Sequence, residues 1–220
     1  MNELSDCFKP LAIQSRKSEF TKLSDEQSQA RLSYAMTMSK SRKSEFMVIL
    51  ITGASHTGKT LLAQRMLEKY KYPYLSIDHL KMGLIRSGKI TLTPEDDDAL
   101  TEELWPIVRE MVKTAIENRQ NLIVEGCYIP SDWRNEFSEQ YLQSIRFICL
   151  AMSDAYIEAH IYEIRNHAST IETRLYDTGC TIESLKLDNH NYIDAFTRSG
   201  EKITIIDTDF WLTVKDFIEQ

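Results

Sequence analysis

The stretch Gly53-Ala54-Ser55-His56-Thr57-Gly58-Lys59-Thr60 decides the fold of this chain. Its spacing, Gly-x-x-x-x-Gly-Lys-Thr, is typical of a phosphate-binding loop, or P-loop. An apolar, β-branched run over 47–52 precedes the loop, and apolar residues at helical spacing follow it. Strand, loop and helix in this order form the context in which such a loop binds phosphate.

The residue types of the loop suit phosphate chemistry. Gly53 and Gly58 allow backbone conformations that point successive N–H groups at phosphate oxygens, and the positive end of the following helix favours the same anion. Lys59 is expected to reach the β- and γ-phosphates of a nucleotide, and the Thr60 hydroxyl is expected to bind Mg²⁺. The predicted nucleotide-binding residues are Gly53, Ala54, Ser55, His56, Thr57, Gly58, Lys59 and Thr60.

The bulk composition favours one soluble cytoplasmic domain. A chain of 220 residues is long enough for one α/β domain with a buried core. Its net charge of −7 argues against a broad basic surface for nucleic acid. The four cysteines lack Cys-x-x-Cys spacing, which favours free thiols in a reducing compartment. The sequence shows neither a signal peptide nor an apolar stretch near the ~18 residues of a membrane span. We therefore expect no nucleic-acid or membrane partner, and the oligomeric state stays open.

The first 46 residues differ in composition from the rest. They contain no glycine, and serine and charged residues dominate them. The hexapeptide at 15–20 recurs unchanged at 41–46, but the flanking residues differ, so this is not a structural repeat. The sequence thus predicts an N-terminal extension over 1–46 and a domain with the phosphate loop over 47–220.

Part of this extension has a helical pattern. Between Ser24 and Met38, the residues Ala30, Tyr34 and Met38 share one face of a helix. The extension is therefore predicted to be partly helical and docked on the domain.

Strands and helices alternate after the loop, which predicts a parallel sheet with helices on both faces. The predicted strands lie at 47–52, 74–78, 121–126, 145–150 and 202–207. Thr93-Pro94 is predicted to begin a helix, with a kink or break near Trp105 because Pro106 follows. The predicted core-facing stripe of this helix is Leu100, Leu104, Ile107, Met111 and Ala115.

Two further helices complete the predicted domain. Ser153 is expected to cap a helix whose inward residues are Ile157, Ile161 and Ile164. The last helix is predicted from about Phe210 to Ile218.

Two carboxylates follow the predicted second and third strands, at the sheet edge where ligands bind in open α/β folds. Asp78 is a candidate base for an acceptor hydroxyl, or a group that orients that hydroxyl. The alternative is an N-cap for a helix that starts at His79. Glu125 is a candidate to hold Mg²⁺ directly or through water. The alternative is a strand-end carboxylate paired with a nearby base.

With this loop, with Ser76-Ile77-Asp78-His79-Leu80 and with Val124-Glu125-Gly126, the run from Val48 to Asp207 resembles the P-loop small-molecule kinases related to adenylate kinase. Within that group it is most similar to proteins described as 2-phosphoglycerate-kinase-like or zeta-toxin-like. The resemblance implies a three-layer P-loop NTPase fold whose five-stranded parallel sheet has the order 2-3-1-4-5. It also implies ATP as the phosphate donor and a mobile lid that carries arginine.

For the lid arginine, Arg165 is the first choice and Arg174 the second; the alternative is a solvated cation at a helix end. The acidic run over 95–98 is attributed to the helix dipole rather than to a metal site. The histidines lack metal-ligand spacing. Candidates for the acceptor pocket are Lys81, Arg86, Lys89, Tyr128, Trp133 and Arg134.

Some features depart from the resembling families. His79, Leu80 and Lys81 follow Asp78, where some zeta-toxin relatives have a second polar or acidic residue. The strand ending and arginine-rich lid of adenylate kinase are not evident, so a nucleoside monophosphate is not the first choice of acceptor. The main hypothesis is an ATP-dependent phosphotransferase for a small hydroxylated or phosphorylated metabolite. The alternatives are a nucleotide-binding regulatory or interaction module without transfer activity, and an NTP-hydrolysing switch.

Overall fold

The computed structural model describes residues 46–167 and 180–219. The predicted extension before residue 46, its helix over 24–38 and the candidate lid residue Arg174 lie outside the described residues.

The sheet has five strands that pair in parallel. They are β1 (Val48–Gly53), β2 (Tyr74–Ser76), β3 (Leu122–Glu125), β4 (Ile145–Met152) and β5 (Ile203–Ile206). Their order across the sheet is β2-β3-β1-β4-β5. The predicted α/β class and the order 2-3-1-4-5 are therefore confirmed. β1 lies at the centre and is buried along its whole length, so its carboxyl end is held firmly where the loop begins.

Helices cover both faces of this sheet. Within the described residues the α-helices are α1 (Lys59–Tyr70), α2 (Ile77–Arg86), α3 (Asp97–Glu117), α4 (Glu139–Leu142), α5 (Asp154–His167), α6 (Ile182–Arg198) and α7 (Phe210–Glu219), and Trp133–Glu136 is a 3₁₀ helix.

Alternating residues of β1 belong to two separate hydrophobic cores, because successive side chains of a strand point to opposite faces of the sheet. Val48 and Leu50 belong to the core that contains buried residues of α3 and α6. Ile49 and Ile51 belong to the core that contains buried residues of α1 and α7. This arrangement is the three-layer architecture that the sequence indicates.

Some predicted boundaries are wrong. β2 ends at Ser76, and Asp78 is already the second residue of α2 rather than the end of a strand. The next helix begins at Asp97, not at Thr93, because the Thr93 N–H and hydroxyl both donate to Asp96 Oδ2, at 2.8 and 2.9 Å, and form a turn before it. The helix then continues through Pro106, so the predicted kink or break near Trp105 is not a break, and the kink stays a prediction.

The predicted stripe of α3 is wrong in part. Leu100, Leu104 and Ala115 are buried, but Ile107 and Met111 are each 41% exposed. Val108 and Val112, one position further along, are fully buried instead.

The predictions for the two later helices are confirmed. The Tyr156 N–H donates to Ser153 Oγ at 3.1 Å, so Ser153 caps α5. The inward residues Ile157, Ile161 and Ile164 are buried, and α7 spans Phe210–Glu219.

Gly53 joins β1 to the loop and tolerates no side chain. Its φ is 147°, and a Cβ atom there would lie 2.1 Å from the carbonyl oxygen of Leu150 on β4. We expect Gly53→Ala to lower the free energy of unfolding by at least ~2 kcal/mol in urea denaturation, since backbone strain and a backbone clash add. The control is Gly88→Ala, where φ is 69° but nothing lies within 4 Å. Equal losses in the two variants would show that the clash with Leu150 contributes nothing.

Candidate active site

The phosphate loop connects the end of β1 to the start of α1. Gly58 has a φ of 79°, and a Cβ atom there would lie 2.5 Å from the Phe210 ring, so this position also requires glycine. The Thr57 hydroxyl donates to the carbonyl oxygen of Ala54 at 2.8 Å across the loop. These constraints give the loop a fixed shape between the strand and the helix.

Two groups on the loop show its electrostatic character. Lys59 Nζ donates to the carbonyl oxygen of Ala54 at 2.7 Å, so the ammonium group lies back over the loop. The backbone N–H of Ser55 donates to Asp188 Oδ2 of α6 at 2.6 Å. A carboxylate oxygen is the same kind of acceptor as a phosphate oxygen, so this N–H is already oriented toward an anion. No local sequence pattern indicates Asp188 as part of the site, because this contact joins residues 133 positions apart.

The two predicted metal ligands lie together. The Thr60 hydroxyl donates to Glu125 Oε1 at 3.1 Å, and the Tyr74 hydroxyl donates to Glu125 Oε2 at 2.8 Å. Glu125 ends β3 and is only 1% exposed. The groups that donate hydrogen bonds to Glu125 are hydroxyls. The alternative interpretation, a strand-end carboxylate paired with a nearby base, requires a basic side chain as the donor.

The surroundings of Glu125 disfavour its charge. Burial raises the pKa of Glu125 above the ordinary value of 4.5, and the charge of Asp78 adds to this effect. The charge of Lys59 and the hydroxyls of Tyr74 and Thr60 oppose it and lower the pKa in part. A raised pKa means that the folded protein holds this proton more tightly than the unfolded chain, so stability falls as the pH rises through that pKa.

We therefore expect Glu125→Gln to stabilise the protein near neutral pH in a metal-chelating buffer, because the amide removes a buried charge. The gain should disappear below the ordinary carboxyl pKa of 4.5, where wild-type Glu125 is protonated in both states. Urea denaturation at the two pH values measures the difference. The exposed Glu102→Gln is the matched control and should change neither value. A gain that does not depend on pH would contradict the buried charge.

Asp78 belongs to a chain of polar contacts that joins α2, the loop after β3 and α3. Asp78 Oδ1 pairs with Lys81 Nζ at 2.8 Å, and Lys81 Nζ donates to the Tyr128 hydroxyl, also at 2.8 Å. The Tyr128 hydroxyl in turn donates to Asp97 Oδ1 of α3 at 3.0 Å. The ion pair with Lys81 fixes the Asp78 side chain. Because this side chain is 30% exposed, it is still open to solvent.

The N-cap alternative for Asp78 is wrong. The N-cap of α2 is Ser76, and Asp78 lies in the first turn of the helix, two positions later. In the sheet, Ser76 pairs with Glu125, and the charge of Asp78 contributes to the raised pKa of that carboxylate. Asp78 therefore faces the same edge of the sheet as the phosphate loop.

The other acceptor-pocket candidates have different surroundings. Trp133 is fully buried and stacks on Phe147, with ring centroids 4.9 Å apart, so it is a core residue. Arg134 forms an ion pair with Glu201. Arg86 is exposed at the last position of α2, and Lys89 is exposed beyond the end of that helix. Of the six candidates, Lys81 and Tyr128 are those whose contacts lead to Asp78.

The lid candidates are described in part. Arg165 is exposed near the end of α5, and its Nε donates to the carbonyl oxygen of Cys180 at 2.8 Å. It thus connects the two ends of the segment 168–179, which with Arg174 lies outside the described residues. The role of Arg165 in catalysis stays a prediction.

In the described ranges, no cluster of three or more His, Cys, Asp or Glu side chains could hold a metal ion. Asp97 and Asp98 of the acidic run lie in the first turn of α3, where their charge complements the helix dipole.

Comparison with known proteins gives similarity at the level of structure. No family model matches the chain, and no curated protein matches it. Gluconokinase from Sinorhizobium meliloti is 15% identical, with 80% of this chain and 91% of that chain covered and a TM-score of 0.45. Shikimate kinase from Bacteroides thetaiotaomicron is 13% identical, with 79% and 94% covered and a TM-score of 0.48. Shikimate kinase from Acinetobacter baumannii, in complex with shikimate, is 14% identical, with 79% and 92% covered and a TM-score of 0.47.

The similarity lies in the fold. By title, these structures are a gluconokinase and two shikimate kinases. At identities of 13–15% and TM-scores below 0.5, they say nothing about the substrate of this chain. Among the helices of the described residues, none combines the length and apolar composition that crossing a bilayer requires.

Proposed function

We propose that this protein is an ATP-dependent phosphotransferase whose acceptor is a small hydroxylated or phosphorylated metabolite. The observation that carries the proposal is the hydrogen bond between Thr60 and Glu125 beside the phosphate loop, with Asp78 in the first turn of α2, directly after the neighbouring strand β2. A loop alone is compatible with any nucleotide-binding protein. A loop with an adjacent pair of oxygen ligands and a separate, partly exposed carboxylate has the groups that phosphoryl transfer needs.

In this proposal the loop over 53–60 binds the phosphates of ATP. The ammonium of Lys59 exchanges the carbonyl oxygen of Ala54 for β- and γ-phosphate oxygens, which are anionic and therefore stronger acceptors. The N–H of Ser55 is already aimed at a carboxylate oxygen of Asp188, and the same donor suits a phosphate oxygen.

The donor set near Thr60 fits Mg²⁺. Thr60 offers a hydroxyl and Glu125 a carboxylate. Mg²⁺ prefers oxygen ligands, which usually come from one or two side chains, from phosphates and from water molecules. Thr60 and Glu125 would hold the ion, which when bound neutralises the charge of the phosphates. The hydroxyl of Tyr74 holds the second oxygen of Glu125 and fixes the orientation of the carboxylate.

Asp78 is proposed as the base for the acceptor. The acceptor oxygen forms a new bond to the γ-phosphorus while the bond between that phosphorus and the β–γ bridging oxygen breaks. The proton of the acceptor hydroxyl passes to the Asp78 carboxylate, and ADP departs with the bonding electrons. Lys81 holds one oxygen of Asp78, and Tyr128 holds Lys81, so both act as positioning residues.

Arg165 is proposed to stabilise the transferred phosphoryl group. A guanidinium group suits this task because its planar donors match phosphate oxygens. In the structure, Arg165 Nε donates a hydrogen bond to the carbonyl oxygen of Cys180.

A screen of candidate acceptors tests the proposal. ADP release is measured with ATP and Mg²⁺ in the presence of sugars, polyols, hydroxy acids and their phosphate esters, one at a time. Release that rises with one acceptor supports the proposal. Release of equal rate with and without every acceptor favours an NTP-hydrolysing switch. Tight ATP binding without ADP release favours a nucleotide-binding module, and either of these last results contradicts the proposal.

A further inference from the structure

A groove lies at the end of the sheet opposite the phosphate loop. It has a volume of about 800 Å³ and runs between the second half of α3 and the starts of β2 and β3. Because all strands are parallel and the loop follows the end of β1, the starts of β2 and β3 lie at the far edge. The apolar lining residues are Tyr72, Pro73, Ile107, Met111, Ala115 and Leu122.

The groove leaves apolar side chains open to water. Ile107 and Met111 lie one turn apart on α3 and are each 41% exposed, although the rest of the helix buries its apolar residues well. The remaining lining residues are polar or charged, namely Lys71, Glu110, Thr114, Arg119, Gln120 and Asn121. Covering apolar surface contributes about 25 cal/mol per Å², so the exposed apolar side chains of the groove favour an occupant.

The chain itself enters the domain at this groove. The Met47 N–H donates to Asn121 Oδ1 at 2.8 Å, and the Leu122 N–H donates to the carbonyl oxygen of Met47 at 3.2 Å. Asn121 and Leu122 both line the groove. The described residues therefore begin at the edge of the groove.

The preceding sequence has an apolar helical face at a suitable distance. Ala30, Tyr34 and Met38 recur every four residues within 24–38. If helical, this segment is about 22 Å long at 1.5 Å per residue. The seven residues over 39–45 span up to about 25 Å when extended, which is enough to bring the segment back along the groove.

We infer that the groove is the docking site of the chain's own segment 24–38, which lies along α3 as a helix. Ala30, Tyr34 and Met38 then cover Ile107 and Met111. This inference is independent of the proposed function, because the groove and the phosphate loop lie at opposite edges of the sheet. In this inference the N-terminal extension has a structural role, because its segment 24–38 covers the exposed apolar side chains of the groove.

Limited trypsin digestion of the full chain tests the docking. Arg31 lies within the segment, so a docked helix protects the bond after it. The double variant Ile107→Ser, Met111→Ser should raise the rate of cleavage at Arg31 by at least ~10-fold, since exposed and released segments are the preferred sites of proteolysis. The control Leu187→Ser removes a 63% exposed leucine of α6 and should leave this rate unchanged. Wild-type cleavage at Arg31 as fast as in the double variant would overturn the inference.

A cross-linking experiment keeps the test valid if the double variant folds poorly. Tyr34 is replaced by a photoreactive benzoylphenylalanine in the otherwise wild-type full chain, and the adducts are mapped by mass spectrometry. Docking predicts an adduct within one chain, on the peptide that contains Ile107 to Leu122. An adduct between two chains would assign the groove to a second copy. That result, adducts elsewhere on the chain, or no adduct would each contradict docking of this segment.

Discussion

Lys59→Ala is expected to lower turnover by ~10²–10³-fold or more, the usual effect of removing one preorganised charge or hydrogen-bond donor from the site of a transition state. The reason is that Lys59 supplies the ammonium group over the phosphate loop, where it lies within 2.7 Å of the Ala54 carbonyl oxygen. Alanine leaves the loop N–H groups in place but removes the positive charge that the β- and γ-phosphates require.

The fold should survive this change. The Lys59 side chain contacts the loop and not the hydrophobic core, so melting temperatures of wild type and variant should be close. Turnover is measured as ADP release at saturating ATP, beside a melting curve. Lys202→Ala is the matched control, because Lys202 is exposed before the start of β5, at the opposite edge of the sheet. Near-normal turnover in a well-folded Lys59→Ala variant would falsify the assignment of the loop.

Asp78→Asn is expected to lower acceptor-dependent turnover by ~10²–10⁴-fold, which is the range for general acid–base assistance. ATP affinity should stay almost unchanged, because Asp78 is not part of the phosphate loop. The amide has the shape of the carboxylate but cannot take the proton of the acceptor hydroxyl. The change also removes the charge that pairs with Lys81, but this pair is partly exposed, and such pairs contribute ~0.2–1 kcal/mol.

The comparison needs a carboxylate in an equivalent helix position. Asp98 lies in the first turn of α3, the same position that Asp78 has in α2. The side chain of Asp98 is exposed. Asp98→Asn should therefore change stability about as little as Asp78→Asn does, and turnover not at all. Equal and normal turnover in the two variants would leave Asp78 without a catalytic role and would move the acceptor base elsewhere.

The parts of the site that could be predicted are those fixed by neighbouring residues in the sequence. The loop is contiguous, and the strand before it and the helix after it have clear periodicity. Glu125 was predicted because it stands at the end of a short apolar run, and the carboxyl ends of parallel strands share one edge. The same rule gave the right edge for Asp78, although the strand before it is shorter than expected.

Other features depend on contacts that no local pattern records. Asp188 of α6 accepts a hydrogen bond from Ser55 of the phosphate loop. Tyr128 connects Lys81 of α2 to Asp97 of α3. The error in α3 has a related cause. Ile107 and Met111 have the same four-residue spacing as the adjacent stripe, Val108 and Val112, so periodicity alone cannot decide which pair faces the core.

The fate of the γ-phosphate of ATP tests the central claim most directly. ATP labelled at the γ-phosphate is incubated with Mg²⁺, the full chain and a mixture of small hydroxylated and phosphorylated metabolites, and the labelled products are identified by mass spectrometry. The proposed phosphotransferase predicts label on a metabolite with wild-type protein, and loss of this product with Lys59→Ala and with Asp78→Asn. Label that stays in ATP, or that appears only in inorganic phosphate, would contradict it.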